Sequence, residues 1–177
     1  MNTQLILFAL VVALLSGCAT TPPGITPVSG FEAERYLGKW YELARFDHSF
    51  ERNLSNVTAT YSPRADGGID VLNRGFNERT KRWEEVKGRA YFVGERDVGA
   101  LKVSFFGPFF GGYNIMELDK ENYQYALVCG PNRSFLWVLS RTRQMDEGVL
   151  NALIHRANEL GFATENLLIV PQDRPDA

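Results

Sequence analysis

The sequence has few cysteines, few histidines and no excess of charge of either sign. Two of its 177 residues are Cys and two are His, while 19 Lys and Arg stand against 21 Asp and Glu. Two cysteines exclude a disulfide-rich scaffold, and two histidines exclude a His-rich metal centre. A net charge of −2 excludes the strongly basic surface that neutralises nucleic-acid phosphates. Because glycine-rich phosphate loops, CxxC and HExxH motifs are missing as well, we predict no metal, no cofactor and no nucleic-acid partner.

The N-terminal part of the chain has no Asp, Glu, Lys, Arg or His before Glu32. It holds an unbroken apolar run of eleven residues, from Leu5 to Leu15. A membrane-spanning helix needs about 20 residues, so this run is too short to cross a bilayer. A short apolar run followed by small residues is typical of a secretory signal peptide, which we place at residues 1–17. A buried N-terminal strand or helix is the alternative interpretation.

The end of this run, Leu15-Ser16-Gly17-Cys18, resembles the lipobox of bacterial lipoproteins. The resemblance implies that Cys18 carries diacylglycerol and palmitate and becomes the first residue of the mature chain. In that family an Asp at the next position favours the inner membrane, so Ala19 implies the bacterial outer membrane. With Cys18 modified, Cys129 is the one remaining thiol and no intramolecular disulfide is expected.

Composition divides the rest of the chain into three parts. Residues 18–30 are rich in Pro, Thr and Gly and lack periodicity, which predicts a lipidated flexible tether. Residues 31–170 are expected to form one domain, because this length suffices to bury a substantial core. Residues 171–177 are left as a C-terminal tail.

Within the domain, apolar and polar residues alternate with a period of two, for example from Val57 to Tyr61 and from Leu101 to Phe105. This alternation is typical of strands with one buried face, and turn residues recur between the runs. Eight antiparallel strands joined by short hairpins predict an all-β fold, either an up-and-down barrel or a sandwich. The predicted strands lie near residues 39–47, 55–62, 68–76, 83–93, 100–106, 112–119, 123–129 and 134–141.

One helix is expected after the eighth strand. From Asp146 onward the apolar residues fall on a single helical stripe, and Gly161 stands where a helix would end. The apolar face of such a helix is expected to pack on the barrel wall. A short ninth strand is predicted at residues 166–170.

This order of elements, together with three residues, resembles the lipocalin family. Gly38 and Trp40 match the family's Gly-x-Trp motif in the first strand, and Arg141 matches its Arg after the eighth strand. The resemblance covers residues 31–170 and implies a calyx whose closed end is capped by Arg141 on Trp40. Longer stretches resemble the bacterial outer-membrane lipoprotein lipocalins and, more loosely, the apolipoprotein D branch: residues 37–42, 104–109, 112–115 and 136–142.

A ligand cavity is predicted inside the barrel. Gly88, Ala90 and Phe92 share one face of a predicted strand, and small residues there leave volume that Leu or Ile would fill. A bulge or a strand crossing is the alternative explanation for the glycine. Apolar cavities with a few polar handles are typical of ligand sites, so we add Tyr113, Tyr125 and Trp137 as candidate lining residues.

Catalysis is not expected. Cys129 has no His near it in sequence, and His48 and His155 lie far apart, so neither a nucleophilic site nor a metal site is indicated. Two function classes remain. The first is a membrane-anchored protein that holds a fatty acid or lysophospholipid for storage or transport, as the resemblance implies. The second is an envelope structural or interaction module whose barrel is filled; a homodimer is a further partner that we consider.

Overall fold

The computed structural model describes residues 21–175 and shows nine strands. A strand such as β3 has buried residues on the face that lies inside the barrel, whereas β7 and β8 are buried almost throughout. The bounds are β1 Gly38–Arg45, β2 Leu54–Pro63, β3 Ile69–Asn77, β4 Arg82–Phe92, β5 Ala100–Phe106, β6 Phe109–Leu118, β7 Tyr125–Cys129, β8 Leu136–Ser140 and β9 Leu168–Ile169.

The first eight strands form a closed barrel, which decides between the two predicted architectures. Each strand pairs antiparallel with the next, and β1 pairs with both β8 and β2. The register that closes the barrel runs from Gly38 opposite Tyr61 to Tyr41 opposite Thr58. Closure leaves β9 outside the barrel, where its two residues pair with Ala44 and Arg45. The predicted all-β barrel is therefore confirmed, with a ninth strand shorter than expected.

Two α-helices accompany the barrel in the described part of the chain, and a short 3-10 helix spans Thr164–Asn166. The predicted late helix is α2, Glu147–Glu159, and the side chain of Asp146 caps it by accepting a hydrogen bond from the backbone N–H of Val149. Gly161 follows it with a φ of +81°, a conformation that favours glycine. The sequence did not predict α1, Ala33–Tyr36, because four residues are too few for a helical period.

Two apolar clusters hold the fold together, one inside the barrel and one outside. The inner cluster includes Trp40 and Ile115, both fully buried. The outer cluster joins the barrel wall to α2, where Leu153 and Ala157 meet Leu127. The helix therefore covers the β6–β8 side of the barrel and leaves the interior to the strands.

The N-terminal segment differs from the predicted flexible tether. Within its described part, residues 21–30, Ile25 is buried in the outer cluster. The N–H of Val28 donates to the carbonyl of Ile115, and the N–H of Gly99 donates to the carbonyl of Val28. This segment is fastened to the barrel wall because its few apolar residues find partners there. The prediction of a tether can hold only for residues 18–20, which lie outside the described residues.

The antiparallel order gives the barrel two distinct ends. At the closed end lie α1, Trp40 and the β2–β3, β4–β5 and β6–β7 connections. At the other end, which we call the mouth, lie the β1–β2, β3–β4, β5–β6 and β7–β8 connections. No helix between residues 21 and 175 is long and apolar enough to cross a membrane.

Candidate functional site

The floor of the barrel is built around Trp40 and Arg141. Trp40 is fully buried, and its indole N–H donates to the carbonyl of Tyr36 at 2.8 Å. The guanidinium carbon of Arg141 lies 4.0 Å from the centre of the Trp40 ring. Gly38 has a φ of +92°, and a Cβ there would stand 3.3 Å from the Arg141 guanidinium. The closed end is therefore sealed by an aromatic ring with a cation on its outer side.

Three tyrosine hydroxyls meet above this floor. The hydroxyl of Tyr113 lies 2.7 Å from that of Tyr36 and 2.9 Å from that of Tyr61. Burial raises the pKa of Tyr61 to about 12 and holds the pKa values of Tyr36 and Tyr113 well above their usual range. All three phenols therefore stay neutral at physiological pH. They place a small polar group at the bottom of the barrel interior.

The interior is not completely filled. Trp40, Ala59, Asn73 and Val86 are successive register partners across β1–β4, so they share the inner face of the wall. Trp40 is fully buried, whereas the other three keep partial exposure although the barrel closes around them. The same partial exposure occurs at three further inner side chains, Val103, Tyr113 and Trp137. The exposed surface belongs to a space inside the calyx, as a ligand cavity requires.

Five of the six predicted lining residues lie on the inner face. Ala90 is buried in the inner cluster, and Phe92, Tyr113 and Trp137 pack against it. Gly88 pairs with Val71 of that cluster and so shares its face.

The volume beside Gly88 is occupied, so the prediction that this glycine leaves space for a ligand is wrong. A Cβ on Gly88 would lie 2.7 Å from the ring of Phe105 and 2.8 Å from the carbonyl oxygen of Ser104. The glycine is needed because the chain and the Phe105 ring approach it closely. It therefore admits an aromatic side chain of the protein and leaves no empty space there.

Gly111 is the glycine that faces open volume, and the sequence analysis did not single it out. It pairs with the inner residue Val103, and an added Cβ would have no described atom within 4 Å. Its one signal in the sequence is its place two residues before Tyr113 in an alternating strand. Gly111 replaces Gly88 as the residue that keeps the lumen wide.

Tyr125 lies outside the barrel, contrary to the prediction. It packs with the outer cluster beside α2, because alternation along β7 directs Ala126 and Val128 inward. The prediction rested on its aromatic character, which does not determine the face of a strand on which a residue lies. Tyr125 is therefore not a lining residue.

A charged group is buried between the floor and the mouth. Glu42 and Arg45 face inward through their partners Leu139 and Trp137, and their side chains form an ion pair at 2.7 Å. Arg45 also donates to the carbonyl of Glu51, and the indole N–H of Trp137 donates to the Glu51 carboxylate at 3.1 Å. Burial raises the pKa of Glu42 well above its usual range, with a further rise from Glu51, and burial raises the pKa of Glu51.

This group places two acids and one guanidinium in reach of the cavity, so it can orient a polar headgroup. The inward position of Arg45 was not predicted, because a bulge between Glu42 and Ala44 shifts the alternation of β1. The bulge brings Arg45 to the inner face, where strict alternation would direct it outward.

His48 stands at the mouth in an aromatic stack. Its ring centre lies 4.9 Å from those of Phe135 and Trp137 and 5.2 Å from that of Phe50. Burial, with a smaller contribution from Arg45, lowers the pKa of His48 to about 4. His48 is therefore neutral at physiological pH and serves as a packing residue.

The remaining candidates for catalysis or metal binding are His155 and Cys129. His155 lies on α2 with Nδ1 at 3.5 Å from Glu159, far along the chain from His48. Cys129 is buried in the outer cluster, and burial raises the pKa of its thiol to about 12. Among residues 21–175 no three His, Cys, Asp or Glu side chains come together in a way that could hold a metal ion. The predicted lipidation residue, Cys18, lies outside the described residues.

An eight-stranded antiparallel barrel with one plugged end and a helix on its wall is a calyx, an architecture wide enough to hold one small ligand. The chain matches the model of the lipocalin-like domain over residues 31–172. It therefore belongs to the lipocalin family.

Similar proteins and structures agree with this assignment. Outer membrane lipoprotein Blc of Vibrio cholerae is 56% identical over 159 residues, which is 90% of this chain and 93% of that protein. Apolipoprotein D of Mus musculus is 30% identical over 178 residues, covering 91% of this chain and 93% of that protein. The structure of insecticyanin from Manduca sexta has a TM-score of 0.69 at 16% identity and covers 89% of this chain and 88% of that chain. This last similarity concerns the fold alone.

Proposed function

We propose that this protein is a lipid-binding lipoprotein of the bacterial outer membrane that holds one fatty acid or lysophospholipid in its barrel for storage or transport. The proposal does not include catalysis, because the buried groups of the barrel are neutral phenols and a paired charge cluster.

One observation carries the proposal. Inner side chains such as Ala59, Val86 and Val103 keep partial exposure inside a closed wall, so the calyx holds free apolar volume. A filled barrel, the alternative function class, would bury these residues as completely as it buries Trp40. The ring of Phe105 beside Gly88 fills only part of the interior.

The shape of the calyx favours a lipid with one chain. Eight strands enclose a lumen just wide enough for one small ligand, so a single acyl chain fits better than the two chains of an intact phospholipid. The chain would lie against the inner wall above the tyrosine hydroxyls. The headgroup would then lie near the mouth, beside Trp137 and the group formed by Glu42, Arg45 and Glu51.

Native mass spectrometry tests the cargo. The protein, prepared from residue 19 onward so that no acyl anchor is present, should carry one lipid of single-chain mass per barrel. Delipidation should remove this mass, and added lysophospholipid should restore it. A protein that shows only its own mass, before and after the addition of either lipid, would support the filled barrel.

The location rests on Cys18 and on the close relatives. Two of them, from Vibrio cholerae and Escherichia coli, are named outer membrane lipoproteins. If Cys18 is acylated, labelled palmitate should enter the wild-type protein and be lost in Cys18→Ser. Cys129→Ser is the matched control, because it removes the other thiol and should keep the label. Equal labelling of Cys18→Ser and wild type would overturn the anchor.

A further inference from the structure

The mouth of the barrel carries three exposed phenylalanines. Phe106 and Phe109 are 76% and 80% exposed at the tip of the β5–β6 hairpin, and Phe50 is 62% exposed in the β1–β2 connection. We call these three residues the aromatic rim. Single exposed apolar residues are common, but these three large rings all lie at the end of the barrel where the cavity opens.

Basic side chains flank the hairpin that carries two of the rim residues. The charged ends of Arg89 and Lys102 lie 5.7 Å and 5.1 Å from the centre of the Phe110 ring, directly behind the tip. Lys87 and Arg89 also line an open groove of about 670 Å³ that reaches Gly107. In the part of the chain that the structure describes, Lys87, Arg89 and Lys102 form no ion pair.

The acidic residues beside this groove offset only part of these charges. Asp66 and Asp70 share Arg64 as their ion-pair partner, so these three side chains carry one net negative charge against the two positive charges of Lys87 and Arg89. The groove therefore offers two cations that form no ion pair among the described residues beside an apolar tip, and this combination suits an anionic headgroup over acyl chains.

The path of the N-terminal segment leads to the same end of the barrel. Arg133, in the β7–β8 connection at the mouth, donates to the carbonyl of Pro23 at 2.8 Å. The hydroxyl of Thr21 donates to Asn114 at 2.7 Å, and Asn114 in turn donates to the carbonyl of Gly130 at the start of that connection. Cys18 is three residues before Thr21, a reach of about 10 Å at full extension. An acyl anchor there would hold the mouth half of the barrel against the bilayer.

We propose that the aromatic rim, with Lys87, Arg89 and Lys102, docks on the surface of an anionic phospholipid bilayer and turns the mouth of the calyx toward it. The rings enter the boundary between headgroups and acyl chains, and the cations contact phosphate oxygens. A single-chain lipid can then pass between bilayer and calyx without crossing water. The last step depends on the proposed lipid cargo, whereas the docking itself does not.

Site-specific fluorescence on the full protein tests the docking. An environment-sensitive label is attached to Phe106→Cys or, as the closed-end control, to Glu95→Cys, while buried Cys129 stays unlabelled. With vesicles of phosphatidylglycerol and phosphatidylethanolamine, the label at 106 should shift to shorter wavelength and be quenched by spin-labelled lipid. The label at 95 should do neither. Equal quenching at both positions, or none at position 106, would overturn the proposal. This holds whether or not an acyl anchor at Cys18 attaches the protein to the vesicle.

A lipid-transfer assay tests whether the docking serves function. It also distinguishes failure of the docking proposal from failure of the cargo proposal. Phe106→Ser/Phe109→Ser should slow the transfer of a fluorescent fatty acid to vesicles by about tenfold or more, because the apolar contact is lost, and should leave its Kd unchanged. Val93→Ser, which removes an exposed apolar residue at the closed end, is the matched control and should transfer at the wild-type rate. A rim variant that transfers at the wild-type rate contradicts membrane-contact transfer. If no lipid binds at all, the cargo proposal fails, and the label experiment still decides the docking.

Discussion

The guanidinium of Arg141 lies 4.0 Å from the centre of the Trp40 ring and fastens three separate backbone segments around it. It donates to the carbonyls of Lys39, Arg35 and Tyr123, at 3.0 Å, 2.7 Å and 3.2 Å. One side chain thus ties the entry to β1, the end of α1 and the β6–β7 connection to the same aromatic ring.

Removing either partner should therefore destabilise the protein, by different amounts. Trp40→Ala deletes a fully buried ring and should lower the free energy of unfolding by about 3–5 kcal/mol. Arg141→Ala loses the ring contact and the hydrogen bonds of a half-buried cation and should cost about 1–3 kcal/mol. Urea titration measures both. Arg52→Ala removes an exposed ion pair with Asp47 and should have no measurable effect. Equal stability of all four proteins would contradict the closed-end assignment.

Enlarging Gly111 should block the ligand without damaging the fold. Gly111→Leu places four carbon atoms in open volume on the inner wall, so the affinity for a fluorescent fatty acid should fall by about tenfold or more while Tm stays the same or rises. Thr60→Leu, on the outer face of β2, is the matched control and should bind normally.

Gly88→Leu is the comparison for Gly111→Leu, because it adds the same side chain to the inner wall at a position that is already filled. Because the Phe105 ring already occupies its space, this change should lower stability by about 1–3 kcal/mol. If Gly111→Leu showed the same loss of Tm, the barrel would be filled at both positions. Unchanged affinity in Gly111→Leu would mean that the ligand lies elsewhere.

The comparison of these glycines shows what the sequence can predict. Alternation and turn residues predicted all eight barrel strands and the late helix, because each depends on local periodicity. The inward direction of Gly88 followed from the same alternation, but whether its volume is empty depends on Phe105, which reaches it from another strand. Tyr125 was misplaced because both faces of β7 are apolar where α2 covers the wall, so its aromatic character does not indicate the inner face. Arg45 was missed because the bulge in β1 changes its face. Contacts between strands are not periodic, so the lining of the cavity could be predicted only in part.

Cys129 should be unreactive in the folded protein. Its thiol is buried in the outer cluster, and burial raises its pKa to about 12, so almost no thiolate is present at pH 8. In a Cys18→Ser protein, a chromogenic disulfide reagent should label Cys129 only at the rate of unfolding. Labelling should become complete in concentrated urea, which serves as the positive control. Fast labelling without urea would show that α2 does not cover this part of the wall.

The pH dependence of stability should reveal His48. Burial and Arg45 lower the pKa of His48 to about 4, whereas an unfolded His has a pKa of about 6.5. Between these values the unfolded chain binds a proton that the folded protein excludes, so the contribution of His48 is lost as pH falls from about 6.5 to about 4. Its full size is about 3 kcal/mol. Above pH 6.5 His48 is neutral in both states and has no effect.

Replacing His48 isolates this contribution from other titrating groups. Glu42 and Glu51 act in the opposite direction: burial raises their pKa values, so the folded protein holds their protons more tightly and their effect favours stability at low pH. The measured quantity is therefore the difference in unfolding free energy between wild type and His48→Phe, which keeps the stack with Phe50 and Phe135. Between pH 7 and pH 4, the unfolding free energy of the variant should rise relative to that of wild type by about 2–3 kcal/mol. Parallel curves across this range would show that His48 is protonated in the folded protein and that the aromatic stack is open to water.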